Sequence, residues 1–573
     1  MDEIVKKLKV VTGLENIRLE HPTDERFGDY STNIAMVVAT HLRQGFGGQE
    51  NQKKNPIEVA KEIKNKLDEI IDKTDTVEKI EVAGGGFLNF YLKKEYLVKQ
   101  AENINYETEF RSSLGKHGLG KTVVIDYSAP NIAKPFGIGH LRSTDIGQAL
   151  YNIYKILGWK CIGDNHLGDW GTQFGKLIVA IKKWGDKPVE KMTIGDLEKL
   201  YVKFHEEAEK DPKLDDEARE WFAKLEKGDP EAREIWQKCV DISIIEFNQV
   251  YDMLGVKIDF AHGEAFYEKM LPRVIADLNK KKVCSESQGA LIVEFDDMPP
   301  AMIQKSNGTT TYFTRDLATV KYRLKEWLPD LMIYEVGVDQ ALHFRQLFKT
   351  VEMMGWMEQK AMVHVAHGLI RWKGGKFSTR EGKTIHLDEV IDRAREKAKE
   401  IANSTQVSKE MTAAEKKKMI EAVAIGAIKF NDLSQDPRKD IIFDWERVMS
   451  LQGDSGPYLQ YTYARCQSVL SKTKILEQKN IGDLPKEINP EEVALLRGLN
   501  KLEEKIVEAA ERYSPAVIAE YLVKIARLYN EFYGKHRIID QPEETFRIFL
   551  TKATANTIGL GLGLLGIKTV ERM

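Results

Sequence analysis

No window of the sequence holds the roughly eighteen uninterrupted apolar residues that a membrane-spanning helix needs, so no membrane association is expected. The opening MDEIVKKLKVV carries acids and lacks an apolar core followed by small residues, so it does not read as a secretory signal. Cysteine is scarce: Cys161, Cys239, Cys284 and Cys466 are scattered and form no CxxC pair. That speaks against a disulfide framework and a zinc knuckle, and it fits a reducing cytoplasm. Charge of one sign is lacking too. With 85 basic and 88 acidic side chains the net charge is −3, so a nucleic-acid surface would have to be a local basic patch rather than a global field.

What is present is an ordinary globular composition spread over 573 residues, too many for a single hydrophobic core. The patterning predicts an α/β protein. Residues 1–110 read as a small α/β unit that opens on an amphipathic helix, passes through GDYSTNIAMVVATHL and ends on KIEVAGGGFLNFYL. Alternation around Phe87 and Asn89 predicts an edge or half-buried strand there, and Gly84 to Gly86 a turn. Inside this unit RQGFGGQENQKKN, from Arg43 to Asn55, is polar and aperiodic. It reads as a surface loop rather than a phosphate-binding one.

A second unit, residues 118–386, begins with the β-branched run of TVVIDYSAPN, followed by HLRSTDIGQALYNIYKILG at helical spacing and by KCIGDNHLGD. Strand, loop, helix and strand make a βαβ unit, whose ligands sit at the carboxyl ends of the strands. A charged stretch over about 188–253 reads as a solvated helical insertion. ALIVEFDD, TTYFTRDL, LMIYEVGVDQ and AMVHVAHGLI then read as strands of a sheet split by that insertion. From 387 onward the pattern is helical without strands. It is divided here into a linker over 387–445 and an all-helical domain over 446–573.

The chemistry concentrates in DYSAPNIAKPFGIGHLRST, Asp126 to Thr144. A strand end, a proline-rich loop, small residues and a histidine at a helix start form a phosphate-binding arrangement. Glycines allow close approach, exposed backbone N–H groups face the anion, and the helix dipole favours negative charge. Lys134 and His140 are expected to supply donors and charge. Taken alone, Gly137-Ile138-Gly139-His140 is also compatible with a plain tight turn.

SAPNIAKPFGIGHLRST resembles the extended "HIGH" motif of class I aminoacyl-tRNA synthetases, in the form carried by the arginine-specific family. Lys376-Phe377-Ser378-Thr379, in GGKFSTREGKTI, is similar to the family's "KMSK" loop. Two positions depart from the pattern: Gly137 stands where "HIGH" has its first histidine, and Thr379 where "KMSK" has its last lysine. In this family a lysine just before "HIGH", matching Lys134, compensates for the second. The resemblance implies a Rossmann-like parallel sheet and ligation of L-arginine to tRNA(Arg) through an arginyl-adenylate. It implies Lys134, His140 and Lys376 as catalytic groups, and Gly137, Gly139, His140, Lys376 and Ser378 as ATP ligands. Mg²⁺ would accompany the nucleotide, with no zinc and no metal held by the protein itself.

A guanidinium calls for paired carboxylate acceptors. By resemblance, Asp126 and Asp316 face it, and Tyr312, four residues before Asp316 and therefore on the same helical face, adds a hydroxyl. Asn131 and Gln340 match positions that bind the amino and carboxylate ends of the substrate. GPYLQYTYARCQSVL looks like the family's anticodon-binding helix, which makes Tyr458, Gln460, Tyr461 and Arg465 candidate RNA contacts. The N-terminal unit is similar to the additional domain that contacts the tRNA elbow, and a monomer is expected. Two rivals stay open: another class I enzyme or small nucleotidyltransferase, and a non-catalytic tRNA-binding relative, which Gly137 alone recommends.

Overall fold

Thr122-Val-Val-Ile-Asp126 is β-branched and apolar on both faces, the signature of a strand buried from both sides. In the computed structural model Val123, Val124 and Ile125 are fully buried, and this strand, β4, is a central member of a parallel sheet. The structure describes all residues except 1, 23, 44–54, 72–75, 373–385, 406, 474–483 and 486. Among those described, no helix is long and apolar enough to cross a membrane.

The chain divides into two compact units. The first holds residues 1–109, 469–502 and 527–556. Its sheet has the order β1 (Tyr30–Thr32), β3 (Phe87–Leu92), β2 (Val77–Ala83), all antiparallel. β3 is therefore the central strand rather than an edge. Asn89 is 3% exposed and accepts a hydrogen bond from Ser31 Oγ at 2.7 Å. The helix Pro56–Ile71 covers this sheet with Val59, Ala60, Ile63, Leu67 and Ile71. Residues 1–109 are not compact alone. Asp29 pairs with Arg497 at 2.9 Å, and Asn500 and Asn556 donate to the carbonyls of Leu97 and Ile104.

The second unit holds residues 110–468, 503–526 and 557–573. β4 (Thr122–Asp126) is followed by the helix Ile138–Ile156 and by β5 (Lys160–Asp164), parallel to β4. On the other side of β4 lies β9 (Leu331–Gly337), and beyond it β10 (Met362–His367), both parallel. In the order β10-β9-β4-β5 the chain adds strands first to one side of β4 and then to the other, which puts the switch in strand order between β4 and β9, where ligands bind in such sheets.

Between β5 and β9 run the helices Thr172–Trp184, Ile194–Ala208, Lys213–Glu226 and Pro230–Leu254, and a separate antiparallel sheet. That sheet consists of β6 (Ser285–Ser287), β7 (Ala290–Val293) and β8 (Ala301–Gln304), so ALIV forms a strand, but not one of the main sheet. TTYFTRDL is not a strand. Thr311 is extended and begins the helix Tyr312–Trp327, and Thr314 Oγ1 bonds the carbonyl of Ile303. The helical region is likewise interrupted, because β12 (Ile441–Phe443) pairs in parallel with β11 (Ile370–Trp372).

Candidate active site

The loop leaving β4 is wound more tightly than its composition suggests. Ser128, Ala129 and Ala133 have φ of 77°, 45° and 61°, a left-handed conformation unfavourable for residues other than glycine. Each is held there by a side chain. The N–H of Ser128 donates to Ser143 Oγ, that of Ala129 to Asn165 Oδ1, and that of Ala133 to Ser243 Oγ, all at 2.9 Å. Tyr251 OH lies 2.9 Å from Ser128 Oγ and accepts from Asn165 Nδ2. Ser243 and Tyr251 belong to the helix Pro230–Leu254, so the last helix of the insertion is not a solvated appendage. It buries Cys239, Val240, Phe247, Val250 and Leu254 and supports this loop.

At the loop's end Gly137 is the extended N-cap of the 138–156 helix, and its N–H donates to His140 Nδ1 at 3.1 Å. That bond leaves the proton of a neutral ring on Nε2. Burial, with the charge of Lys134 adding to it, pushes the imidazole down to about 4. Contrary to the expectation from sequence, His140 thus offers a donor without a charge. Lys134 is exposed, its ammonium 5.5 Å from the ring centroid of Tyr201. Gly139 is exposed, and no atom lies within 4 Å of where a Cβ would stand, so the helix start opens onto free space. Lys376, Ser378 and Thr379 lie outside the described residues, as does most of the 43–55 insert.

A second cluster of polar groups gathers around Asp316. Asp316, in the second turn of the 312–327 helix, has Oδ2 2.6 Å from His343 Nε2 and Oδ1 3.7 Å from His166 Nε2. Tyr312 is exposed on the same face, its ring centroid 5.1 Å from that of His343. Asn131 bridges to Gly168, where a Cβ would collide with the Asn131 amide; glycine is what lets the two loops meet. Gln340 closes the 3₁₀ turn after β9 and donates to Asp339 at 3.3 Å.

Two further positions depart from the sequence reading. Asp126 does meet a guanidinium, but it is the chain's own. Arg323, fully buried, donates Nη2 to Asp126 Oδ2 at 2.7 Å and Nε to Asp164 Oδ2 at 2.9 Å, tying together the ends of β4 and β5. Gln460 is fully buried, and its amide donates to the carbonyls of Ala422 and Lys568, so it anchors the helix Gly456–Leu470 instead of presenting an edge to RNA. Tyr458, Tyr461 and Arg465 are half-buried on that helix, with the Arg465 guanidinium 4.8 Å from the centroid of Tyr461.

The sequence reading missed His166 and Glu264. Glu264 is half-buried, 3.6 Å from Arg315, and burial, with Asp316 and Asp169 adding to it, raises its carboxyl to about 7. Asp169 fixes the start of its short helix by accepting the N–H of Ala265 at 2.9 Å. No spacing in the sequence marks either residue, because each joins Asp316 only through the folding of distant loops.

The comparisons with known proteins agree along the chain. The family profile described as tRNA synthetases class I (R), catalytic domain, matches residues 108–445. The profile of the arginyl tRNA synthetase N terminal domain matches residues 1–92, and that of the DALR anticodon binding domain matches 459–573. Among curated relatives, an arginine–tRNA ligase of Halothermothrix orenii is 41% identical over 527 residues, covering 91% of each chain. One of Clostridium botulinum is 40% identical over 562 residues, covering 97% of this chain and 96% of its own. The crystal structure of the arginyl-tRNA synthetase of Plasmodium falciparum superposes with a TM-score of 0.84 at 23% identity, over 100% of this chain and 99% of that one. With the class I catalytic profile covering its middle and these relatives covering nearly its whole length, the chain belongs to the arginyl-tRNA synthetase family.

Proposed function

We propose that the chain is an arginine–tRNA ligase. It joins L-arginine to ATP as arginyl-adenylate with release of pyrophosphate, then transfers arginine to the 3′-terminal ribose of tRNA(Arg). The observation that carries this reading is that both half-sites are attached to the carboxyl ends of the parallel strands: a helix start with a neutral histidine donor follows β4, and His166, which reaches Asp316 at 3.7 Å, follows β5.

The first step is an in-line attack of the arginine carboxylate on the α-phosphorus. The bond from that phosphorus to the bridging oxygen breaks, and the electron pair leaves with pyrophosphate. No group of the protein becomes covalently attached, so catalysis consists of positioning and of stabilising charge as it gathers on the phosphates. Lys134 and Lys376 supply positive charge, while His140 Nε2–H and the backbone N–H groups of the helix start at Gly139 supply hydrogen bonds; Gly137 orients His140, and Ser378 is a further ATP ligand. Asp316, with Tyr312 and Glu264, receives the guanidinium, and Asn131 and Gln340 orient the amino and carboxylate ends. Asp126 acts through Arg323, holding the strand ends beneath the pocket.

Among the described residues no cluster of three His, Cys, Asp or Glu side chains could hold a metal alone. Mg²⁺ would accompany the nucleotide as the counter-ion of its phosphates. Tyr458, Tyr461 and Arg465 meet anticodon bases by stacking and charge. The enzyme works as a monomer in the cytoplasm.

The test is ATP–pyrophosphate exchange and aminoacylation with arginine, each run with and without cognate tRNA. Arginine-dependent charging of that tRNA is the expected result; its failure with a competent tRNA overturns the proposal.

A further inference from the structure

Beneath the phosphate-facing turn of the 138–156 helix lies a closed cluster of charges that the reaction above does not use. Arg142, two residues beyond His140, is 1% exposed. Its Nε donates to Asp432 Oδ1 at 2.9 Å, and its Nη1 donates to the carbonyls of Gly368 at 2.8 Å and Lys439 at 2.9 Å. Glu335, on β9, is fully buried, with Oε1 2.9 Å from His367 Nδ1 at the end of β10. Arg142 Nη2, Glu335 Oε2 and Asp432 Oδ2 have no hydrogen-bond partner among the described residues. The charged and titratable groups facing His367 are thus Glu335 from β9, Arg142 from the 138–156 helix, Asp432 from the helix Ala413–Leu433, and His364 from its own strand.

The fully buried Asp145 beside Asp432 is matched by Lys429 at 3.4 Å. The remaining two carboxylates, Glu335 and Asp432, against one guanidinium leave a single negative charge over, and an uncompensated charge in the interior is strongly unfavourable. One more proton brings the count to zero, and the imidazole of His367 is where it fits. We propose that His367 is a positioning residue: as an imidazolium it neutralises this cluster and locks the carboxyl ends of β9 and β10 to the helix that carries His140. Burial opposes protonation of His367, but Glu335 and Asp432 outweigh it and leave the pKa raised.

The lock acts on the site through short connections. β9 runs from Glu335 directly into the turn that bears Gln340. Gly368, held by Arg142, follows β10 immediately. At Gly337 a Cβ would stand 2.6 Å from Asp339 Oδ1, so glycine leaves the Asp339 carboxylate its place, and 3.7 Å from His367 Nε2, an ordinary contact distance.

The inference rests on the reading of His140 and Gln340 as substrate-binding groups, and the test separates the two. Kinetics of pyrophosphate exchange, with KM for ATP and for arginine, are compared for the wild type, His367→Gln, Glu335→Gln and the double variant. His367→Gln leaves the negative charge unbalanced, and about a tenfold loss or more in kcat/KM for ATP is expected. The double variant removes one charge of each sign and is expected to return to within about threefold of wild type, which loss of a merely structural contact would not do. Wild-type kcat/KM should decline toward alkaline pH as His367 loses its proton, and Glu335→Gln should flatten that decline. Backbone hydrogen exchange over 335–340 and 367–369 gives a readout free of the assumed chemistry, faster in His367→Gln and restored in the double variant. A His367→Gln enzyme indistinguishable from wild type, or a double variant no better than His367→Gln in both readouts, overturns the proposal. A wild type inactive with arginine, but with the expected exchange pattern, overturns the functional reading and leaves the lock standing.

Discussion

Burial of His140, reinforced by the charge of Lys134, pushes its imidazole down to about 4, so near neutral pH the ring carries no charge. With Nδ1 occupied by the Gly137 N–H, its remaining proton can bind a phosphate oxygen but cannot balance one. The backbone N–H at position 137, which any residue but proline would supply, thus sets the histidine's tautomer. The charge must come from lysine. Lys134→Ala is expected to lower kcat for adenylate formation by more than ~10²-fold, since it removes charge stabilisation made mainly in the transition state. Single-turnover measurement at saturating ATP checks this, and a near-normal rate would move the burden elsewhere.

Glu264 makes the opposite use of burial. Its carboxyl, raised to about 7 by burial and then by Asp316 and Asp169, is largely protonated below that pH in the empty pocket. A bound guanidinium favours the ionised form. The sign follows by linkage: arginine binding releases a proton at and below about pH 7, and KM for arginine falls as pH rises through 7. Calorimetry in buffers of different ionisation enthalpy, together with KM against pH, measures both effects. Glu264→Gln should abolish them, and a pH-independent KM in the wild type would remove Glu264 from the pocket.

At the scale of elements, the β4 loop is the part that stores strain. Three left-handed non-glycine residues persist because Ser143, Asn165 and Ser243 each bind one of their N–H groups and Tyr251 braces the assembly. Tyr251→Phe removes the hydroxyl shared by Ser128 and Asn165, and a loss of about 1–3 kcal/mol is expected. It should appear as a raised KM for ATP more than as a lowered melting temperature, because the loop is local; thermal unfolding and kinetics on one preparation distinguish the two. This loop also marks the limit of what a sequence shows. β4 and the 138–156 helix were legible, because a β-branched run and a 3.6-residue period are local signals. So was the pairing of Tyr312 with Asp316 on one helical face. The supports from the 230–254 helix were not legible, since its Glu234–Lys238 pair describes only the solvent side, while Ser243 and Tyr251 are held inward by the β4 loop.

Over the whole molecule, two residues read as ligand-facing turn out to be bound within the fold. Asp126 and Gln460 are each buried against a partner far away in sequence: Arg323, and the carbonyls of Ala422 and Lys568. Polar type alone does not separate a ligand-facing group from a satisfied interior one. Glu264 and His166 failed the other way, since only tertiary folding brings them to Asp316. The family strings, by contrast, are long enough to identify the architecture and the reaction class. Within that frame, the central claim is that a phosphate-binding helix start and a carboxylate pocket for a guanidinium operate as one site.

The most direct measurement is ATP–pyrophosphate exchange driven by arginine and by citrulline, which has nearly the same shape but a neutral ureido group. Arginine is predicted to be preferred by at least ~10³-fold in kcat/KM, because citrulline leaves Asp316 and its neighbours without a cation. Asp316→Asn should close most of that gap by raising KM for arginine. Comparable exchange with citrulline in the wild type, or an Asp316→Asn enzyme that keeps the full preference, would contradict the account.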